Sequence, residues 1–405
     1  MAFKSLYVHW PFCLQRCNYC DFLSHNIFEV QEQAAAYPQA LRQELRMYRA
    51  YADELVSIYF GGGTPTVMPA EELCSLLDFI RQTYAVRADA EITVECNPAT
   101  ADEAYLRQLR QAGFNRLSLG AQSFQPAELQ RLGRAHSAAD IVLAVAEARA
   151  AGFDNLSLDL MYALPGQTMA DLEFNLRTAM RLQPEHISLY SLQLDNDSPW
   201  GRQYAKGLLS AADEDLEADM LLYAWQFLQE HGFVQYEIAN FAQKDQRDFR
   251  SRHNRMYWQR EDYLGVGLGA SSCLFLRRWQ NVGGLSAYIN SLLNLHRPPV
   301  EEEELTMAQC MSEVMFMGLR QTAGVDIYPV IERFRVDPLR FYANELPPLY
   351  AAGLLEYLED AHSLRLTQKG LVLANQVFMA FIKDEMEDIQ LCQQPKAGGA
   401  ADIEI

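Results

Sequence analysis

Three cysteines within one short segment, Cys13-Leu-Gln-Arg-Cys17-Asn-Tyr-Cys20, stand out first in this 405-residue chain. Thiolates at such spacing are ligands for a soft metal centre. A structural zinc ion needs four ligands, usually built from paired Cys-x-x-Cys units. Iron–sulfur cubanes are held by thiolates, normally four of them. With three thiolates, a [4Fe–4S] cluster keeps one iron open, and an open position is what chemistry requires. The competing readings are chance crowding of reduced thiols and a partial zinc site completed by His9 or His25. Cys74, Cys96, Cys273, Cys310 and Cys392 show no ligand spacing.

The spacing Cys-x-x-x-Cys-x-x-Cys resembles that of the radical S-adenosylmethionine superfamily. The resemblance implies that the open iron chelates the amino and carboxylate groups of S-adenosylmethionine, and that one electron then releases a 5′-deoxyadenosyl radical. The rest of the sequence offers groups suited to this cofactor. Backbone carbonyls in Gly61-Gly62-Gly63-Thr64-Pro65 suit its amino group, because glycine lets the backbone approach closely. A guanidinium such as Arg134 suits its carboxylate. Glu95, Gln122 and Asp159 suit ribose hydroxyls. Taken singly, the glycine run reads equally as a tight turn, and the carboxylates as helix caps. Together they fall at one place in successive strand–helix units.

Those units must do the positioning. Strands are expected at Leu6–Val8, Ser57–Phe60, Ile92–Glu95, Arg116–Leu119, Leu156–Leu160 and Ile187–Leu192. Helices are expected to begin near Gln31, Ala70, Ala101, Ala138 and Met169. Alternating strand and helix argues for a parallel sheet. Six units predict an α/β fold, a partial TIM-like (β/α)6 barrel, whose site gathers at the strands' C-terminal ends. No Gly-x-Gly-x-x-Gly turn follows the first strand, which argues against a flat dinucleotide-binding sheet. A helix is expected over 211–230. Helical segments at 305–321, 326–335 and 338–352, followed by two short strands, predict a smaller C-terminal winged-helix-like domain. The expected organisation is a core barrel over 1–235, a mixed connecting region over 236–304, the C-terminal domain over 305–385 and a flexible tail over 386–405.

With 34 Lys and Arg against 53 Asp and Glu, the formal charge is −19, which disfavours nucleic-acid binding. No apolar run reaches the roughly 20 residues of a membrane span. No secretory signal is expected either, since Pro11 interrupts a short apolar stretch. The expected location is the cytoplasm, with cysteines present as thiols or metal ligands.

Longer blocks resemble one branch of the superfamily: the oxygen-independent coproporphyrinogen III dehydrogenases and their paralogues, the heme chaperones. The blocks are Tyr7-Val-His-Trp-Pro-Phe-Cys13, Phe60-Gly-Gly-Gly-Thr-Pro65, Glu95 before Pro98, Gly120-Ala-Gln-Ser-Phe124, Arg131-Leu-Gly-Arg134 and Leu158-Asp-Leu-Met-Tyr-Ala-Leu-Pro-Gly-Gln-Thr168. The resemblance implies that Tyr7, Tyr19, Gly62, Gly63, Thr64, Glu95, Gln122, Arg134 and Asp159 contact the cluster-bound cofactor. Two departures point away from the dehydrogenases. Their fourth Cys, two residues after the triplet, is Phe22 here. Their extension before the first strand, which serves the porphyrin substrate, is not expected, since that strand falls almost at the start of this sequence. A third feature is positive: His253-Asn-Arg-Met-Tyr257-Trp258 resembles the His-Asn-x-x-Tyr-Trp motif of the chaperones. A neutral imidazole is a good axial ligand for heme iron. His, Tyr and Trp equally line cores that hold no heme. The implied function is heme binding and delivery to respiratory heme proteins, with a flavodoxin or ferredoxin as electron donor. Radical chemistry stays open, and coproporphyrinogen III dehydrogenation is disfavoured.

Overall fold

The computed structural model describes residues 2–383, so the expected tail over 386–405 lies outside the described residues. The chain divides into two compact units: Met1–Tyr257 with Glu261–Glu303, and Trp258–Arg260 with the chain from Glu304.

The first unit is built on parallel strands β1 (Phe3–Trp10), β2 (Ala52–Gly62), β3 (Val86–Cys96), β4 (Arg116–Gln122), β5 (Leu156–Tyr162) and β6 (His186–Ser191). They lie side by side in chain order. Helices α1 (Gln31–Met47), α2 (Ala70–Thr83), α3 (Glu103–Ala112), α4 (Pro126–Leu132), α5 (Ala138–Ala150), α6 (Met169–Arg181) and α7 (Glu214–Glu230) connect or follow them. Each expected strand is present and most are longer than expected, because an apolar window marks only the buried centre of a strand. α4 was not expected. Its apolar content is low, and Pro126 at its first position supplies the start. Capping boxes Ser137/Asp140 and Thr168/Asp171 fix the starts of α5 and α6.

A seventh parallel strand, β7 (Tyr263–Val266), pairs with the free side of β1. The region after 236 therefore extends the same sheet: Asn240–Gln243 joins beyond β6, and Ser271–Leu274 joins beyond β7, both antiparallel. Side chains alternate across every strand. Leu6, Val8, Ile58, Phe60, Val94, Leu117, Leu119, Leu158 and Leu189 form an apolar face, each at most 1% exposed. The other face is polar and carries the chemistry.

The second unit has a helix at Met307–Gly318, a second at Ile327–Phe334, and a three-stranded sheet of Val325–Asp326, Ser363–Leu366 and Leu355–Leu358. This is the winged-helix pattern. The helix expected over 338–352 is two, Pro338–Phe341 and Leu346–Ala351. Pro347 and Pro348 lack N–H donors and clash with a preceding helical turn, so they can only open a new one.

Candidate cofactor site

The C-terminal strand ends surround a cavity of about 770 Å³, open mouth included, lined among others by Cys13, Cys17, Tyr19, Cys20, Gly62, Gly63, Thr64, Glu95, Gln122, Arg134 and Asp159. One cavity thus gathers every expected cofactor-binding position except Tyr7 and His253.

Cys13, Cys17 and Cys20 are free thiols, all partly accessible. No group of three His, Cys, Asp or Glu among the described residues is arranged around a single ion. A cubane does not ask for that, since each thiolate binds a different iron. The loop is anchored around its cysteines. Asn18 N donates to Leu132 O at 2.9 Å, Asn18 Nδ2 to Arg131 O at 2.8 Å, and Thr64 Oγ1 to Cys13 Sγ at 3.5 Å.

The glycine run forms the adjoining wall. Gly63 N donates to Trp10 O at 2.8 Å. A Cβ on Gly63 would meet Phe12 O at 2.7 Å, so this backbone lies against the turn that carries Cys13. Gly62 has φ +109°, and a Cβ there would meet the His9 ring at 2.4 Å. His9 Nε2 faces the Leu23 carbonyl at 3.2 Å, and a carbonyl only accepts. Nε2 therefore carries the proton, and Nδ1 accepts from the Tyr7 hydroxyl at 2.9 Å. Burial lowers the His9 pKa to about 4, so the ring is neutral. Tyr7 does not itself line the cavity; its hydroxyl bonds the imidazole that lies against Gly62. His9 was no cofactor candidate, although period-two counting from Tyr7 puts it on the same strand face.

Glu95 Oε1 accepts from the Tyr59 hydroxyl at 2.7 Å, and Oε2 from Gly62 N at 3.1 Å. Burial, with the Asp159 carboxylate adding to it, raises its pKa to about 7. Asp159 accepts from Ser118 Oγ at 3.0 Å, and burial raises it to about 6. A register shift between Leu119 and Gln122 leaves Gln122 at φ 66°, in the left-handed region. Such a bulge re-aims a side chain, and the Tyr190 hydroxyl holds Gln122 Oε1 at 2.6 Å.

Arg134 follows Gly133, whose left-handed conformation ends α4. Its Nη2 donates to Gly120 O at 2.6 Å, and Nη1 approaches Cys17 Sγ and the Tyr19 hydroxyl at 3.4 Å each. Burial opposes its charge, but Tyr19 and Cys17 more than offset this and keep the guanidinium protonated. Its Nε is buried and has no hydrogen-bond partner. A buried, unspent donor beside a thiol fits an anionic ligand. The cavity therefore offers thiolates, a cation and two carboxylates of raised pKa, a set suited to a cluster and a ligand bearing both charges.

His253 lies elsewhere. It sits on α8 (Arg252–Trp258), outside the cavity lining, against the middle of β2 and β3. Glu91 of β3 accepts from the N–H groups of Arg252 and His253 at 3.0 Å each. Ser57 Oγ engages His253 Nδ1 at 2.9 Å, and the Tyr257 hydroxyl engages Nε2 at 2.9 Å. The ring stacks on Tyr59 with centroids 5.0 Å apart and is 1% exposed. Both nitrogens are occupied, so this arrangement leaves none for iron. Trp258 belongs to the second unit, where Arg320 lies 4.5 Å from its ring centroid.

Residues 7–179 match the Radical SAM superfamily model, and residues 305–373 match the HemN C-terminal domain. Coproporphyrinogen III oxidase (HemN) from Escherichia coli shares the fold, with TM-score 0.78 over 94% of this chain and 90% of that one, at 24% identity. With the cysteine-bearing cavity at its strand ends, this is a radical S-adenosylmethionine fold. Heme chaperone HemW of Bacillus subtilis is 37% identical, covering 94% of this chain and 99% of its own. The mitochondrial radical S-adenosyl methionine domain-containing protein 1 of Bos taurus is 33% identical, covering 93% and 87%. The chain belongs to the HemW family. Among the described residues no helix is long and apolar enough to cross a membrane.

Proposed function

We propose that this chain is a heme carrier that binds heme and passes it to respiratory heme proteins. The observation that carries the reading is its near end-to-end similarity to curated heme chaperones. Phe22, in place of the fourth cysteine that the resemblance gives the oxidases, lines the cavity and supports it.

In this reading Cys13, Cys17 and Cys20 each hold one iron of a [4Fe–4S] cluster. Gly62 and Gly63 receive the amino group of S-adenosylmethionine, and Arg134 its carboxylate. Glu95, Gln122 and Asp159 take the ribose hydroxyls, while Tyr19 and Thr64 shape the wall. Tyr7 acts at one remove, by fixing the neutral tautomer of His9 beneath Gly62. The cluster and S-adenosylmethionine together supply one-electron reductive cleavage of a sulfonium when bound. A flavodoxin or ferredoxin would deliver the electron. The raised pKa values of Glu95 and Asp159 suit a cationic ligand, whose charge would favour the ionised form of both carboxylates.

The test is made on one anaerobically reconstituted sample. Hemin titration is expected to give a saturable Soret band at about one heme per chain, with no conversion of coproporphyrinogen III. Catalytic conversion without saturable heme binding would make the chain an oxidase instead.

The Arg134 assignment has its own check. Arg134→Ala should weaken S-adenosylmethionine binding by about 1.5–3 kcal/mol, the scale of a charge-assisted hydrogen bond. Arg134→Lys should recover only part of this, because an ammonium lacks the two-pronged geometry. Equilibrium dialysis with labelled S-adenosylmethionine measures it, and unchanged affinity in Arg134→Ala would remove the residue from the site.

A further inference from the structure

The chain carries a formal charge of −19, yet Arg16 at the lip of the cofactor cavity, and Arg202 next to it, have no acidic partners. Arg16 lines the cavity. Its Nη2 donates to the Asp197 carbonyl oxygen at 3.0 Å, and Arg202 Nη1 donates to the same oxygen at 2.8 Å. Two exposed guanidiniums thus converge on one neutral acceptor, and Arg16 Nη2 also reaches the Cys20 carbonyl oxygen at 3.5 Å. A guanidinium has five N–H donors, so most of this capacity is unspent. Neither arginine forms an ion pair among the described residues. Elsewhere in the first unit Arg87, Arg149 and Arg177 pair with Asp89, Glu185 and Glu173. Nearby, Asp195 turns its Oδ1 to Asp197 N at 2.8 Å and so caps its own loop.

The same lip is apolar. Phe22 lines the cavity mouth and is 60% exposed, and Leu14 and Leu23 of the same loop are 38% and 42% exposed. An exposed aromatic ring and a cation without an acidic partner on the lining of one cavity, with a second such cation sharing that cation's acceptor, match a ligand that is flat, apolar and carries carboxylates at its edge. A hydrated acidic protein surface would satisfy the cations and leave Phe22 without a partner.

We propose that this lip is the heme seat: the porphyrin face lies on Phe22, and its propionates are held by Arg16 and Arg202. This rests on the heme-carrier reading. It places the seat at the cavity mouth and away from His253, whose ring is enclosed. Arginine suits the task because its planar fork grips a carboxylate through two parallel bonds.

The experiment uses the full chain, reconstituted anaerobically and titrated in parallel with hemin and with hemin dimethyl ester, which lacks the propionate charges. Wild type is expected to bind hemin about tenfold more tightly than the ester, the scale of one charge-assisted contact. The Arg16→Gln/Arg202→Gln protein is expected to lose that preference, and Phe22→Ala to bind both probes more weakly. Iron and sulfide content, measured on every sample, reports whether the cysteine loop still folds. If the Arg16 change disturbs it, Arg202→Gln alone and the wild-type ester comparison carry the test. Equal wild-type affinity for both probes, or hemin affinity within twofold after both arginines are replaced, overturns the seat and leaves the carrier reading standing. No saturable hemin binding by wild type overturns both. Unchanged hemin affinity with slower cluster reduction by an acidic flavodoxin would assign the arginines to the electron donor, and the seat would again be wrong.

Discussion

Cys17→Ala protein, reconstituted anaerobically, is expected to retain almost no iron or sulfide, against about four of each per chain in wild type. The loop offers three thiols, and the described residues around it bring no further His, Asp or Glu to a shared metal position. Losing one thiol leaves two for a cube with four irons. Cys13→Ala and Cys20→Ala should behave alike. Cys74→Ala is the control, since that thiol sits on α2 and donates to Gln108 O. Iron and sulfide analysis with the near-ultraviolet and visible spectrum reads the result. A full cluster in Cys17→Ala would sink the assignment.

His253→Ala is expected to lower unfolding stability by about 2–4 kcal/mol, because buried hydroxyls of Ser57 and Tyr257 lose their partner and the ring leaves a void. Denaturant titration measures this. The same variant should take up hemin with the wild-type spectrum. Wild-type stability together with an altered Soret band would return the imidazole to the role of iron ligand. Acidity gives a second readout. Burial lowers the His253 pKa to about 3, below the ordinary value of 6.5. Between about pH 6.5 and 3 the unfolded chain therefore binds more protons, so stability falls as pH falls. Removing His253 should flatten that slope by up to about 1.4 kcal/mol per pH unit. His9 and His136, each lowered to about 4, act with the same sign. Glu44 and Glu95, raised to about 7, act oppositely and cost stability as pH rises from their unfolded values through 7.

The residue pattern by itself determined the cysteine loop, the alternation of strand and helix and the strand-end positions of Gly62, Glu95 and Gln122, whereas Asp159, expected near a strand end, lies in the middle of β5. These are local facts: thiol spacing, a repeating strand–helix rhythm and the rule that sites of such barrels lie at one end. The two-residue period also placed polar side chains on one face of each strand. Contacts between distant segments were decided only by the tertiary structure. Nothing in the sequence announces that β7 adds itself beside β1, because strand pairing depends on which backbone edge is left open. Nothing in it says that His9 supports Gly62, or that Tyr190 fixes Gln122 after a bulge. The His253 motif shows the limit most clearly. Its residue types suit heme iron, and they equally suit a polar barrel interior that must satisfy buried hydroxyls and one carboxylate. A side chain's chemistry is written in its type, whereas its freedom to use that chemistry depends on what the fold places against each donor and acceptor. For His253 the fold places Ser57, Tyr257 and Tyr59 there. For Arg16 and Arg202 it places only backbone carbonyl oxygens, of Asp197 for both and of Cys20 for Arg16, and leaves each guanidinium exposed.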